Sequence, residues 1–314
     1  MIEIFKIQLL SFLNMYKKIT IIYFIIFSVG LLILPTSIHS QSSTKYQSKI
    51  AFVSNTSGNW ELWVMDANGD NKRQLTYTPI DERSPSISTD GKKIVYTTNA
   101  GDIWIVNVMT KQTKKLNLEL KNINHCRFSP DGKRIIFTVF HEPKMDDSNI
   151  WIVDINGVNL RKLVDQRDIQ LYPDFHPNGK KIIYSSTIYA PFYVIWHDLW
   201  AINLDGTGAE RILCNDAANI QAKWSPDGKK IVFASNKTGN MEIWLMDIES
   251  KKLKQLTYNP AYDASPCWSP DGEYVCFISN RSGKMAIWIM DKNGKNLKQL
   301  TKEMRDCKDP DWGR

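Results

Sequence analysis

The side chains best suited to chemistry fall in two segments. His141, Glu142 and Asp147 lie within 140–147, and His197 ends the aromatic stretch 188–197. Imidazole and carboxylate are apt ligands for a transition metal. Two His on separate segments do not by themselves make a metal centre, so neither metal nor cofactor is expected. Tyr189, Phe192, Tyr193 and Trp196 stand beside His197. An apolar wall of aromatics with polar contacts from His141, Glu142 and His197 suits recognition of a sugar or a peptide, and the same rings would also suit packing of a long loop onto its own sheet. Three further carboxylates, Glu82, Asp263 and Asp306, offer the hard oxygen ligands that Ca²⁺ takes, or serve simply as solvated loop acids. There is no Gly-x-Ser-x-Gly elbow. The five cysteines form no C-x-x-C pair, so neither zinc-ribbon nor thiol chemistry is signalled.

Composition narrows the class. With 43% hydrophobic and 23% charged residues the chain is globular, and a net charge of +7 over 314 residues is too mild to argue for nucleic acid. Lys17 and Lys18 precede an apolar run from Ile19 to Leu34 that ends at Pro35 and passes through Ser37 and Ser40 into polar residues. Residues 1–40 therefore read as a signal peptide, or as an uncleaved anchor, followed by a linker at 41–48. Either way the remainder is expected outside the cytoplasm, periplasmic or secreted. It would touch a membrane only through that first segment.

The elements that must position these side chains are announced by repetition. An aliphatic-Trp-x-aliphatic-Asp/Asn pattern recurs six times, around Trp63, Trp104, Trp151, Trp200, Trp244 and Trp288. Nine residues after each Asp/Asn stands Leu or Ile (Leu75, Leu116, Leu163, Ile212, Leu256, Leu300), and twelve later a large apolar residue (Ile87, Phe128, Phe175, Trp224, Trp268, Trp312). Asp-Gly or Asn-Gly then follows in five copies. Short apolar runs bounded by turn residues read as strands, here four to a period, which we label A to D. In Ser-Pro-Asp-Gly, Pro fixes φ at the second position of a type I turn and Gly suits the fourth, joining A to B as a hairpin. Periods of 41 to 49 residues with four strands each predict β-propeller blades.

The phase of the repeat predicts closure. The first copy starts at strand B, while the chain ends on an orphan strand A at Asp309-Pro310-Asp311-Trp312. Residues 49–314 thus form an all-β, six-bladed β-propeller closed by the C-terminal strand pairing with the N-terminal blade, which removes free edges. The six repeat Trp belong to the core between blades.

Ser-Pro-Asp-Gly-Lys, together with Ser-Asn-x-x-Gly-x-x-x-Ile-Trp at Ser235–Trp244 and Ser279–Trp288, resembles the WD40-like PD40 repeats of TolB-type periplasmic propellers. The same repeats are similar to the propellers of prolyl-oligopeptidase-type peptidases. The resemblance covers about residues 49 to 313 and implies an envelope protein. The α/β domain that accompanies the propeller in TolB proteins finds no counterpart in the linker, and without a nucleophile elbow peptidase activity does not carry over.

Three segments of each period keep their length, and the variation falls between strands B and C, longest in blades 3 and 4. Insertions on one face of a repeat protein commonly bind. Those two loops supply His141, Glu142, Asp147, Tyr189, Phe192, Tyr193, Trp196 and His197, while Glu82, Asp263 and Asp306 would ring the channel mouth on that face. Basic pairs such as Lys92-Lys93 and Lys133-Arg134 ring the opposite one. The expectation is a monomeric, non-enzymatic module that binds an envelope protein or glycan. The alternative is a polysaccharide lyase or hydrolase with its site at the channel mouth.

Overall fold

The structure is a computed structural model. It describes residues 48–141, 147–166, 168–189 and 195–313, apart from the side chains of residues 188, 189 and 195. The signal-peptide segment, nearly all of the linker, Glu142, Phe192 and Tyr193 lie outside the described residues. Chain contacts separate residues Met1–Thr44 from Lys45–Arg314, and all described elements belong to the second unit.

Among the described residues every regular element is a strand, and the strands form six four-stranded sheets. Blade 1 comprises β1 (Lys49–Ser54), β2 (Glu61–Asp66) and β3 (Arg73–Gln74); blade 2 comprises β4 (Glu82–Ile87), β5 (Lys93–Thr98), β6 (Ile103–Asn107) and β7 (Thr113–Leu116). Blade 3 runs through β8 (Ile123–Phe128), β9 (Arg134–Phe140), β10 (Ser148–Asp154) and β11 (Arg161–Val164). Blade 4 has β12 (Gln170–Phe175), β13 (Lys181–Tyr189), β14 (Ile195–Asn203) and β15 (Glu210–Leu213). Blade 5 has β16 (Asn219–Trp224), β17 (Lys230–Ser235), β18 (Glu242–Asp247) and β19 (Leu253–Gln255). Blade 6 has β20 (Asp263–Trp268), β21 (Tyr274–Ser279), β22 (Ala286–Asp291) and β23 (Lys298–Gln299). The last strand, β24 (Cys307–Gly313), pairs antiparallel with β1 and completes blade 1 as its inner strand. The predicted closure is what the sheet shows, and Trp312 Nε1 fastens it by donating to Ser48 Oγ at 2.9 Å.

Period-two alternation decides where the core lies. Successive residues of a strand face opposite sides of the sheet, and in a propeller both sides meet a neighbouring blade. Ile50 and Phe52 accordingly pack with blade 6, whereas Ala51 and Val53 pack with blade 2. One apolar cluster fills each of the six seams. The repeat Trp pack on these clusters, Trp244 buried and the other five half-buried. They stand on the third strand, toward the outer side of each blade.

The A–B turns behave as their sequence requires. Gly272 donates its N–H to Ser269 O at 2.9 Å and sits at φ 71°, while Asp271 Oδ1 accepts from Ser269 Oγ and from the Glu273 N–H. His176 replaces Ser in this turn in blade 4, accepting the Asn178 N–H at Nδ1 and packing its ring 4.6 Å from Trp224. Cys267 and Cys276 are opposed in register across β20 and β21, both buried and both free thiols. Part of the basic ring serves the fold, since Arg73 and Arg161 each donate to a carbonyl of the adjoining blade (Val108 and Leu204).

Candidate functional site

The insertions of blades 3 and 4 prolong hairpins more than they form loops. In blade 4, Thr187, Ile188 and Tyr189 pair with His197, Trp196 and Ile195, so only residues 190–194 connect the strands. His141 Nε2 bonds to Asn149 Oδ1 at 2.6 Å within its own blade, and its N–H donates to Asp147 O. His197 instead joins the seam with blade 5, where its N–H donates to Ala217 O and its carbonyl accepts from Asn219 Nδ2. Burial holds the His197 imidazole below its usual range. The two imidazoles are thus tied to different neighbours. Trp196 is half-buried, and Asp147 keeps one buried carboxylate oxygen without a hydrogen-bond partner.

The three carboxylates predicted at the channel mouth have other engagements. Glu82 is buried at the start of β4, where Oε2 accepts the Leu62 N–H at 2.7 Å and the Thr76 hydroxyl. Burial pushes its carboxyl up to about 7, with a contribution from nearby Glu61. Asp263 is also buried and binds Arg281 at 2.6 Å and Asn259 at 2.8 Å. Asp306 accepts the Met285 N–H at 3.0 Å. These acids tie the D–A ends to β2 and to the B–C connection of blade 6. Among the described residues no group of three or more His, Cys, Asp or Glu is placed to hold a metal ion.

What does surround the axis is a polar wall. Each of the six inner strands breaks register at the same place, between its second and fifth residues. The third residue of each is left-handed although none is glycine: Ser84, His125, Tyr172, Gln221, Ser265 and Asp309 have φ between 49° and 58°. Such non-glycine conformations are uncommon and persist where surrounding structure fixes them. Pro85, Pro173, Pro266 and Pro310 follow the kink, where a bulge leaves the residue out of the ladder and a missing N–H costs little.

The kinked residues clasp one another around the ring. Asp309 Oδ2 accepts the Ser84 N–H at 3.1 Å, and Gln221 accepts the Ser265 N–H at 2.8 Å while donating to Ser265 Oγ at 2.9 Å. The His125 ring packs 4.1 Å from that of Tyr172. Together the six strands enclose a cavity of about 180 Å³ on the axis, lined among others by Arg83, His125, Arg127, Tyr172, Gln221 and Lys223. Burial, then the positive charges of Arg127, Lys223 and Arg83, depress His125 to about 3, so its imidazole is neutral.

Rigid loops frame the B–C end of this channel. Asn59 Nδ2 donates to Thr78 O and Ile80 O, Asn240 Nδ2 to Asn259 O and Ala261 O, and Lys284 Nζ to Lys302 O and Met304 O. Three D–A loops are thereby each pinned at two carbonyls. Tyr77, Ile80, Tyr258 and Tyr262, four of the seven exposed large hydrophobics among the described residues, ride on two of them. Lys308 Nζ stands 3.7 Å over the Trp60 ring beside the same opening. Length variation in the sequence pointed elsewhere. The overlooked signal is a position of constant offset whose residue type changes from blade to blade.

Comparison with known proteins agrees with this architecture. The family model described as the TolB beta propeller domain, PD40, matches residues 40–233 and 189–314. A protein TolB homolog of Chlorobium chlorochromatii is 28% identical over 45% of this chain and 32% of its own length. The Tol-Pal system protein TolB of Anaeromyxobacter sp. strain K is 29% identical over 41% of this chain and 29% of its own. The chain thus spans about a third of the length of these curated relatives. The crystal structure of TolB from Acinetobacter baumannii superposes with a TM-score of 0.75 at 23% identity, covering 86% of this chain and 67% of that one.

Proposed function

The chain belongs to the PD40 family of TolB β-propeller domains, and from that premise we propose that it is a non-enzymatic protein-binding module of the cell envelope, acting in the periplasm. The observation that carries this reading is the B–C end of the channel. Its loops are fixed by Asn59, Asn240 and Lys284 and present Ile80 and Tyr262 uncovered. Exposed apolar side chains on preorganised loops cost little ordering entropy on association, and Tyr is enriched at protein interfaces. The names of the relatives, one of them a Tol-Pal system protein, support an envelope protein as partner. From the sequence, Tyr189, Phe192, Tyr193 and Trp196 would add apolar contacts to this docking surface and His141, Glu142 and His197 polar ones.

The test is affinity capture from an envelope extract with the wild-type chain and an Ile80→Ser/Tyr262→Ser variant. A discrete protein band retained by the wild type and lost by the variant, at equal melting temperature, supports the reading. Retention that survives protease treatment of the extract but not deglycosylation points instead to a glycan. Equal capture by both proteins removes this end of the channel from consideration.

A further inference from the structure

The channel cavity has a charge and shape of its own. Its lining carries three cations, Arg83, Arg127 and Lys223, against one acid, Asp309. Two other acids of the inner strands turn into the wall: Asp311 accepts the Ile87 N–H at 2.8 Å, and Asp174 accepts the Trp224 N–H and pairs with Lys223 at 2.8 Å. Asp309 is itself engaged by the Ser84 N–H. Arg127 donates through Nη1 to the carbonyls of Pro85 and Cys126, yet its Nε is buried without a hydrogen-bond partner, as is Nδ1 of His125. A buried polar group without a partner is unfavourable, so the Arg127 guanidinium and the His125 ring leave hydrogen-bonding capacity beside the cavity. Arg83 is exposed.

We propose that this cavity binds a small organic carboxylate, held by Arg83 and Arg127 with its carbon skeleton against Tyr172 and the proline side chains. Guanidinium groups match a carboxylate through paired N–H donors. Pro173, Pro266, Pro310 and Tyr172 line the same space, and these apolar surfaces within the polar wall favour an anion with a carbon body over an inorganic one. The volume of about 180 Å³ admits a di- or tricarboxylate, or a single acidic side chain, and excludes a folded segment. The site stands on the cavity alone and does not depend on the docking surface proposed above.

The purified full chain, dialysed into chloride buffer at pH 7, is titrated calorimetrically with succinate, citrate, sulfate and a terminally blocked Gly-Asp-Gly peptide. The expected result is one-to-one binding of a carboxylate, with sulfate bound far more weakly. Arg83→Ala, at an exposed position, and Arg127→Gln should each weaken binding by about tenfold or more, the loss of one charge-assisted contact. Tighter binding of the free acids identifies a small metabolite as the source; tighter binding of the peptide identifies an acidic residue of a protein. Absence of binding by the wild type, sulfate binding of equal strength, or unchanged affinity in Arg83→Ala overturns the proposal, and that variant alone decides if Arg127→Gln does not fold.

Discussion

The seams between blades and the wall of the channel are built from the same backbone six times over, but they treat residue identity in opposite ways. In a seam, each blade supplies aliphatic or aromatic residues at matching positions, such as Phe52, Phe137, Phe233 and Phe277, all buried. The space to be filled is the same in every copy, and close packing penalises any change of volume. On the channel wall the kinked position runs from Ser84 through His125 and Tyr172 to Asp309. This position borders the axial cavity rather than a close-packed seam, so the fold leaves the choice free. Where a repeat demands uniformity the residues hold the fold, and where it tolerates diversity they are available for binding.

Removing residues 305–314 tests the seam side most severely. It strips blade 1 of β24 and exposes the edge of β1, and the expected outcome by size-exclusion chromatography and circular dichroism is loss of the folded monomer. A truncated protein that stays monomeric and melts normally would contradict closure by this strand. Phe233→Ala, in the seam between blades 4 and 5, should cost about 3–5 kcal/mol in urea unfolding. Gln221→Ala on the channel wall loses its bonds to Ser265 and should cost only about 1 kcal/mol; equal losses would erase the distinction between the two regions.

Glu82 gives the comparison a pH dependence. Its folded pKa of about 7 lies above the ordinary value of 4.5, so the folded state binds the proton more tightly than the unfolded one. Its contribution to stability is complete below pH about 4.5 and is lost as pH rises through 7. The melting temperature should therefore fall between pH 5 and pH 8 in the wild type and fall less in Glu82→Gln; parallel curves would show that the carboxyl does not titrate in this window. The smallest effect is expected from shortening the blade 4 hairpin across 190–194. That change spares His197 and its bonds to blade 5, and should shift the melting temperature by no more than about 2 °C. A larger shift would mean that the tip aromatics pack on the blade.

The sequence by itself determined the six blades, their four strands each, the A–B turns and the closure by the last strand. These follow from local rules repeated at fixed offsets: alternation of apolar residues, turn chemistry at Ser-Pro-Asp-Gly, and a phase that leaves one strand over. Only the tertiary structure decided which polar side chains meet. Glu82, Asp263 and Asp306 sit at or beside strand starts that the sequence places on the channel face, yet their carboxylates point to Leu62 on β2 and to Arg281 and Met285 in the B–C connection of blade 6. Arg83, His125, Arg127, Tyr172 and Lys223 come from four blades and as much as 140 residues apart in the chain. Their convergence depends on ring closure and on the left-handed kink of each inner strand, a conformation that Ser, His, Tyr, Gln and Asp do not announce by type, because here the surrounding blades impose it.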